Sequence, residues 1–283
     1  NKENRDWKEL TTFYINEYEN VLKKLNVLPA TNKPKATDFI NEMIAMVKDL
    51  ETNGLAYKTE SGVYFSVKDY KNYGRLSKKP LDDLESGARV SVDEKKNNPM
   101  DFALWKFKKP NEPYWDSPWG EGRPGWHIEC SVMSTKILGQ PFDIHGGGRD
   151  LIFPHHENEI AQAEGAHNKE FAKYWMHNGF LNINSEKMSK SLGNFVSVAE
   201  LLDKHDPESL RYFLLSAHYR SPLDYSVDAI KESESAVIRY YETLHRLYKY
   251  SSGKFSNDIP VAKNEIEEDV KTKILAFEEN VEK

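Results

Sequence analysis

Five consecutive residues, Lys187-Met188-Ser189-Lys190-Ser191, place two ammonium groups and two hydroxyls in one short stretch closely followed by Gly193. Such a loop suits a polyphosphate. Lysine offers a compact point charge to a phosphoryl oxygen, and that charge counts most when pyrophosphate leaves and negative charge builds on it. Alone, the pentapeptide would read as a solvated basic turn, since Ser and Gly are what turns are made of; its company changes the reading.

A second set of residues has the chemistry of metal ligands. His155 and Glu159 are four apart, so on a helix beginning near Pro154 both side chains face one side. With Cys130 they offer one sulfur, one nitrogen and one oxygen, a borderline-soft set suited to Zn²⁺, which would take a fourth ligand to complete a tetrahedron. From spacing alone the ordinary readings prevail: a lone cysteine is more often a small buried hydrophobe, and a His/Glu pair at this spacing is often a helix-face hydrogen bond. His156 reads as a supporting or structural residue and not as a ligand. Gly146-Gly147-Gly148 allows close approach of backbone to a ligand, and Asp150 just after it is either a contact for an amino acid's ammonium group or a helix N-cap.

These residues need elements to hold them. Residues 6–25 and 37–50 have helical periodicity, the second with Phe39, Ile40, Met43, Ile44, Val47 and Leu50 on one stripe, Thr37 as N-cap and Gly54 as C-terminal cap. Short β-like runs follow, of which 63–67 is the clearest, and read as a small inserted α+β domain closing near residue 118. A helix over 128–138, a strand over 142–145, a helix over 157–166 and a strand over 173–177 then alternate, which predicts a parallel α/β sheet. Ligands gather at the carboxyl ends of such strands, where His145 to Asp150 and His177 to Gly179 fall. From Ser226 the pattern is helical again, with Val227, Ile230, Val237, Tyr241, Leu244 and Tyr248 at three-, four- and seven-residue spacings, and a polar linker over 251–257 precedes a further helix.

Composition sets wide bounds. The chain has 283 residues, a net charge of −6 and one cysteine. It is long enough for more than one domain, and it holds no intramolecular disulfide, which fits a reducing compartment. With no apolar run of membrane-spanning length and no signal-peptide core in the charged start, the expectation is a cytoplasmic protein without a membrane partner. The lack of an initiating Met and the mid-helix character of both ends suggest a piece of a longer chain. A net negative charge neither favours nor excludes RNA, because a local basic track is enough to contact phosphates.

Three further strings accompany the pentapeptide: Gly125-Trp126-His127-Ile128-Glu129-Cys130, Phe142-Asp143-Ile144-His145-Gly146-Gly147-Gly148-Arg149-Asp150, and Phe153-Pro154-His155-His156-Glu157-Asn158-Glu159. Together they resemble the second-half signatures of the cysteinyl-tRNA synthetases, densely from about residue 99 to 225. The resemblance implies a Rossmann-like parallel sheet, the second half of a class I synthetase catalytic domain. Residues 1–55 would be the helical end of the first half, 56–118 the inserted connective domain, and 119–195 the second half with its signature loop. Stem-contact helices would occupy 196–250, and 251–283 would start a helical bundle.

The same resemblance implies the chemistry. Lys187, Met188, Ser189, Lys190 and Ser191 would bind ATP, supplied with Mg²⁺, and the two lysines would stabilise departing pyrophosphate as cysteinyl-adenylate forms. Cys130, His155 and Glu159 would be three of four zinc ligands, selecting the substrate thiolate over serine without an editing domain. Trp126 would wall the bound cysteine, Asp150 would take its ammonium group, and His145 would make a polar contact near the aminoacyl group. The partners implied are cysteine, ATP and tRNA(Cys). The family's His-Ile-Gly-His signature and its remaining zinc-binding cysteine are not in this sequence. Two other readings stay open: a ligase joining cysteine to glucosaminyl-inositol on the mycothiol pathway, which shares this core, and a non-catalytic RNA- or zinc-binding module.

Overall fold

The computed structural model describes residues 6–78, 96–183, 186–188 and 195–250. Helix α1 (Trp7–Lys24) is capped by Asp6, whose carboxylate accepts from Lys8 N at 3.1 Å, and ends on Lys23 and Lys24, which complement the helix dipole. Helix α2 (Ile40–Thr52) buries Met43, Val47 and Leu50 on the stripe its periodicity predicts. It starts later than expected, and Thr37 is not its cap. Residues Ala36–Asp38 form a separate 3-10 turn, and Phe39 precedes α2 without a side-chain cap. Its far end follows the expectation: Gly54 has φ +74°, and Leu55 N and Gly54 N return to Leu50 O and Glu51 O at 2.8 and 3.0 Å, closing a Schellman motif.

Strands β1 (Ala56–Lys58), β2 (Gly62–Phe65), β3 (Phe102–Phe107) and β4 (Gly122–Pro124) make one antiparallel sheet in sequence order. It continues past residue 118 because β4 pairs with β3, Trp105 facing Pro124 and Lys106 facing Arg123. Its inner face joins α2, α3 (Trp126–Leu138) and α4 (Glu157–His167) in a single core around Val63, Phe65, Leu104, Trp105, Ile128 and Ala161. The sheet and the two helices carrying Cys130 and Glu159 are therefore packed as one body.

Strands β5 (Phe142–Gly148) and β6 (Ala172–Asn178) run parallel on either side of α4, so the expected α/β alternation is present. Phe142, Ile160, Ala163 and Phe171 seat this pair on α4. Among the described residues that sheet is two strands wide, and a second parallel pair lies in another sheet, where β7 (Leu181–Ile183) sits between β8 (Glu186–Lys187) and β9 (Leu223–Tyr225). Helices α5 (Val198–Leu202), α6 (Pro207–Leu215) and α7 (Val227–Tyr250) complete the described chain. Leu25, Leu210, Phe213 and Ile230 tie α1 to α6 and α7. Of the residues predicted to line α7, Ile230 and Val237 are buried, whereas Val227, Tyr241 and Leu244 are exposed. No helix among the described residues is long and apolar enough to cross a membrane.

Candidate metal centre and signature loop

Strand β4 delivers the chain to Gly125, where any side chain would collide with the carbonyl of Ala103 on β3. That close approach starts α3 directly against the sheet. His127 and Cys130, three apart, then share one side of the helix, while Ile128 and Val132 enter the core. Facing them is a turn of π-helix, Ile152–His156, with Phe153 in an extended conformation inside it, leading into α4. His155 comes from this turn and Glu159 from the first turn of α4.

The fold brings the three predicted ligands together. One donor atom each from Cys130, His155 and Glu159 lies within 4.8 Å of the others, and His145, His156 and Glu159 form a second such group. Glu159 belongs to both: His155 Nε2 approaches its Oε1 at 2.8 Å and His145 Nε2 its Oε2 at 3.3 Å. Neither approach has the direction of an N–H···O hydrogen bond, and both carboxylate oxygens are sealed from solvent without a hydrogen-bond partner. A buried carboxylate left this way costs several kcal/mol, on the order of a lost ion pair. A cation bound there would remove the penalty, and the sulfur, nitrogen and oxygen donors fit zinc.

The electrostatics point the same way. Burial pushes the Cys130 thiol up to about 12, with the carboxylates of Glu159 and Glu129 adding to the shift, so a thiolate there needs a cation beside it. His127 and His156 are pushed down to about 3, in each case mainly by burial, and burial lowers His145 against the pull of Glu159. Rings held neutral keep a lone pair for a metal or a hydrogen bond.

The histidine network extends beyond the predicted ligands. His127 Nδ1 meets His155 Nδ1 at 2.8 Å, and His156 Nδ1 meets His177 Nε2 at 2.8 Å. His156 is buried, and besides meeting His177 it belongs to the second potential donor group, with His145 and Glu159. His127 was not singled out by sequence reasoning. Its signal was the three-residue spacing to Cys130, which puts both on one helix face.

Trp126 opens α3, 59% exposed as a residue and with its ring centroid 4.5 Å from that of His155, so it stands at the mouth of the cluster. His145 lies inside, its ring 4.7 Å from both His156 and Trp175. Asp150 sits exposed in the 3-10 turn Arg149–Leu151 that follows β5, its carboxylate folded back over Gly148, and it caps no helix.

Residues 1–235 match the family of tRNA synthetases class I (C) catalytic domain. The chain belongs to this family. It is 59% identical over 251 residues to a cysteine–tRNA ligase of Thermodesulfovibrio yellowstonii, a stretch covering 87% of this chain and 52% of that protein. With a cysteine–tRNA ligase of Trichlorobacter lovleyi it shares 56% identity over 247 residues, 87% of this chain and 51% of the other. Among solved structures, the apo methionyl-tRNA synthetase of Mycobacterium tuberculosis superposes with a TM-score of 0.56 at 15% identity, over 80% of this chain and 55% of that one, a likeness of fold. The chain spans about half the length of the curated relatives it matches.

In this class I synthetase chain the pentapeptide begins on β8, where Lys187 pairs with Asn182 of β7. Met188 N donates to Leu181 O at 3.3 Å, and its side chain helps line an apolar cavity of about 190 Å³ together with Ile183, Phe195, Leu210 and Phe213. Met188 therefore anchors the near end of the loop in apolar surroundings. Ser189, Lys190 and Ser191 lie outside the described residues.

Proposed function

We propose that the full-length protein is a cysteine–tRNA ligase, which activates cysteine with ATP and transfers it to tRNA(Cys). The observation that carries this reading is the joining of Cys130, His155 and the orphaned carboxylate of Glu159 at one buried point. The strong identity to proteins named cysteine–tRNA ligases supports tRNA as the acceptor over glucosaminyl-inositol.

Zinc, held by Cys130, His155 and Glu159 with a ligand from outside this sequence, would bind the substrate sulfur as a thiolate, a bond that a serine hydroxyl cannot match at neutral pH. His127 fixes the His155 ring through Nδ1, which leaves Nε2 free on the side of Glu159. Trp126 closes the open side of the site and keeps water off the bound amino acid. Asp150 takes the ammonium group and His145 lies close to the aminoacyl group.

In the activation step the cysteine carboxylate attacks the α-phosphorus of ATP and the bond to pyrophosphate breaks, giving cysteinyl-adenylate. Lys187 and Lys190 hold the charge that grows on pyrophosphate, with Ser189 and Ser191 donating to phosphate oxygens and Mg²⁺ carried by the nucleotide. A terminal ribose hydroxyl of tRNA then attacks the adenylate carbonyl, and AMP departs.

The test uses the full-length protein. Cysteine-dependent exchange of pyrophosphate into ATP, transfer of labelled cysteine to tRNA, and no comparable exchange with serine are expected. Transfer to glucosaminyl-inositol alone would replace the acceptor assignment. Equal exchange with serine and cysteine would remove the metal's selective role.

A further inference from the structure

We propose that Glu157 is a positioning residue for the metal ligands, clamping the turn that bears His155 and Glu159 against residues 74–77. The proposal rests on the metal reading above.

Glu157 lies between those two ligands in sequence and is 1% exposed. Its Oε1 accepts from Gly74 N at 2.9 Å and Leu76 N at 3.4 Å, and its Oε2 accepts from Ser77 N at 2.8 Å. A charged acceptor serving three backbone donors in a dry setting makes stronger hydrogen bonds than a neutral one. Residues two apart on a helix point to different sides. The turn is therefore gripped from behind by Glu157 while Glu159 and His155 face Cys130.

That grip acts where the helix is irregular. His155 belongs to a π-turn containing the extended Phe153, and no side chain caps the start of α4. Ligand donors must be held to within about 0.5 Å of their working positions. Neighbouring contacts reinforce the same seam, Tyr73 O–H donating to Asn158 Oδ1, and Tyr70 O–H and Arg75 Nη2 donating to Glu164 at 2.9 and 2.7 Å. Glu164 binds the same segment as Glu157, but well along α4 from the ligands. It supplies the control for a purely structural role.

The experiment compares full-length wild type with Glu157→Gln, Glu157→Asp and Glu164→Gln, measuring zinc retention by chelator competition, KM for cysteine and for ATP, and thermal unfolding. Glu157→Gln should weaken zinc retention about 10- to 100-fold, the loss usual when a group supporting a ligand is changed. KM for cysteine should rise and KM for ATP stay unchanged. Glu157→Asp, which keeps the charge and shortens the reach, should fall between, so the answer does not depend on one variant folding. Glu164→Gln should keep zinc whatever it does to melting. Zinc held by both Glu157 variants as tightly as by wild type overturns the proposal, as does an equal loss in Glu164→Gln. A wild-type protein that binds no zinc removes the metal reading itself, a result distinct from either.

Discussion

The Nδ1 atoms of His127 and His155 stand 2.8 Å apart between residues that are 8% and 5% exposed. Two imidazole nitrogens at this distance share one proton, and a proton on His155 Nδ1 leaves His155 Nε2 with its lone pair toward Glu159. Burial and its neighbour push His127 down to about 3, so its ring is neutral and can take the acceptor's part. Replacing His127 with Phe should keep the ring contacts yet weaken zinc binding about 10- to 100-fold. Chelator competition on the full-length protein measures this, and unchanged retention would show that His155 is oriented without its partner.

Glu159→Gln should change stability with opposite sign in two conditions. Under chelation the variant should be the more stable, because a buried, unpartnered carboxylate is replaced by an amide at a saving of about 1–3 kcal/mol. With excess zinc wild type should win, since binding to the native state adds stability. Thermal unfolding with chelator and with zinc reads both, and the same order in both would argue against a cation at Glu159.

Gly147→Ala should disturb the histidine network from the strand side. A Cβ at Gly147 would stand 2.7 Å from His156 Cε1 and 3.1 Å from Leu151 Cδ1, so the imidazole must move and its 2.8 Å contact with His177 must break. The cost should be about 1–3 kcal/mol by chemical denaturation. An unshifted His156 signal in NMR spectra of the variant would contradict this packing.

Lys190→Ala should slow cysteine-dependent pyrophosphate exchange by about 10²- to 10³-fold, the usual effect of losing one contact to charge that develops in the transition state. KM for cysteine should hardly move, because that charge is absent in the ground state. An exchange rate equal to wild type would dismiss the assigned role.

Much of this was legible because it depends on local pattern. The apolar stripe of α2, the Gly54 stop, and the order β5, α4, β6 follow from periodicity and from one residue's backbone freedom. The four-residue spacing tied His155 to Glu159, whereas Cys130 joined them only through the family resemblance. What stayed hidden depends on contacts between distant segments. Thr37 has the side chain of a cap, yet the chain turns once before α2 and leaves it outside. Strand β4 is only Gly122–Pro124, too short to show alternation, and exists because β3 offers it an edge. His127 looks like any histidine near a helix start until α4 sets His155 opposite, and the anchoring of Met188 emerges only when β7 and α6 enclose it.

The π-turn before α4 leaves a mark on how this stretch can vary between relatives. Each residue turns a helix by about 100°, so adding or removing one between His155 and Glu159 would swing the carboxylate away from Cys130 and carry Glu157 off the residue 74–77 backbone at the same time. Related sequences should therefore align through these five positions without a gap, even where the surrounding loops differ in length.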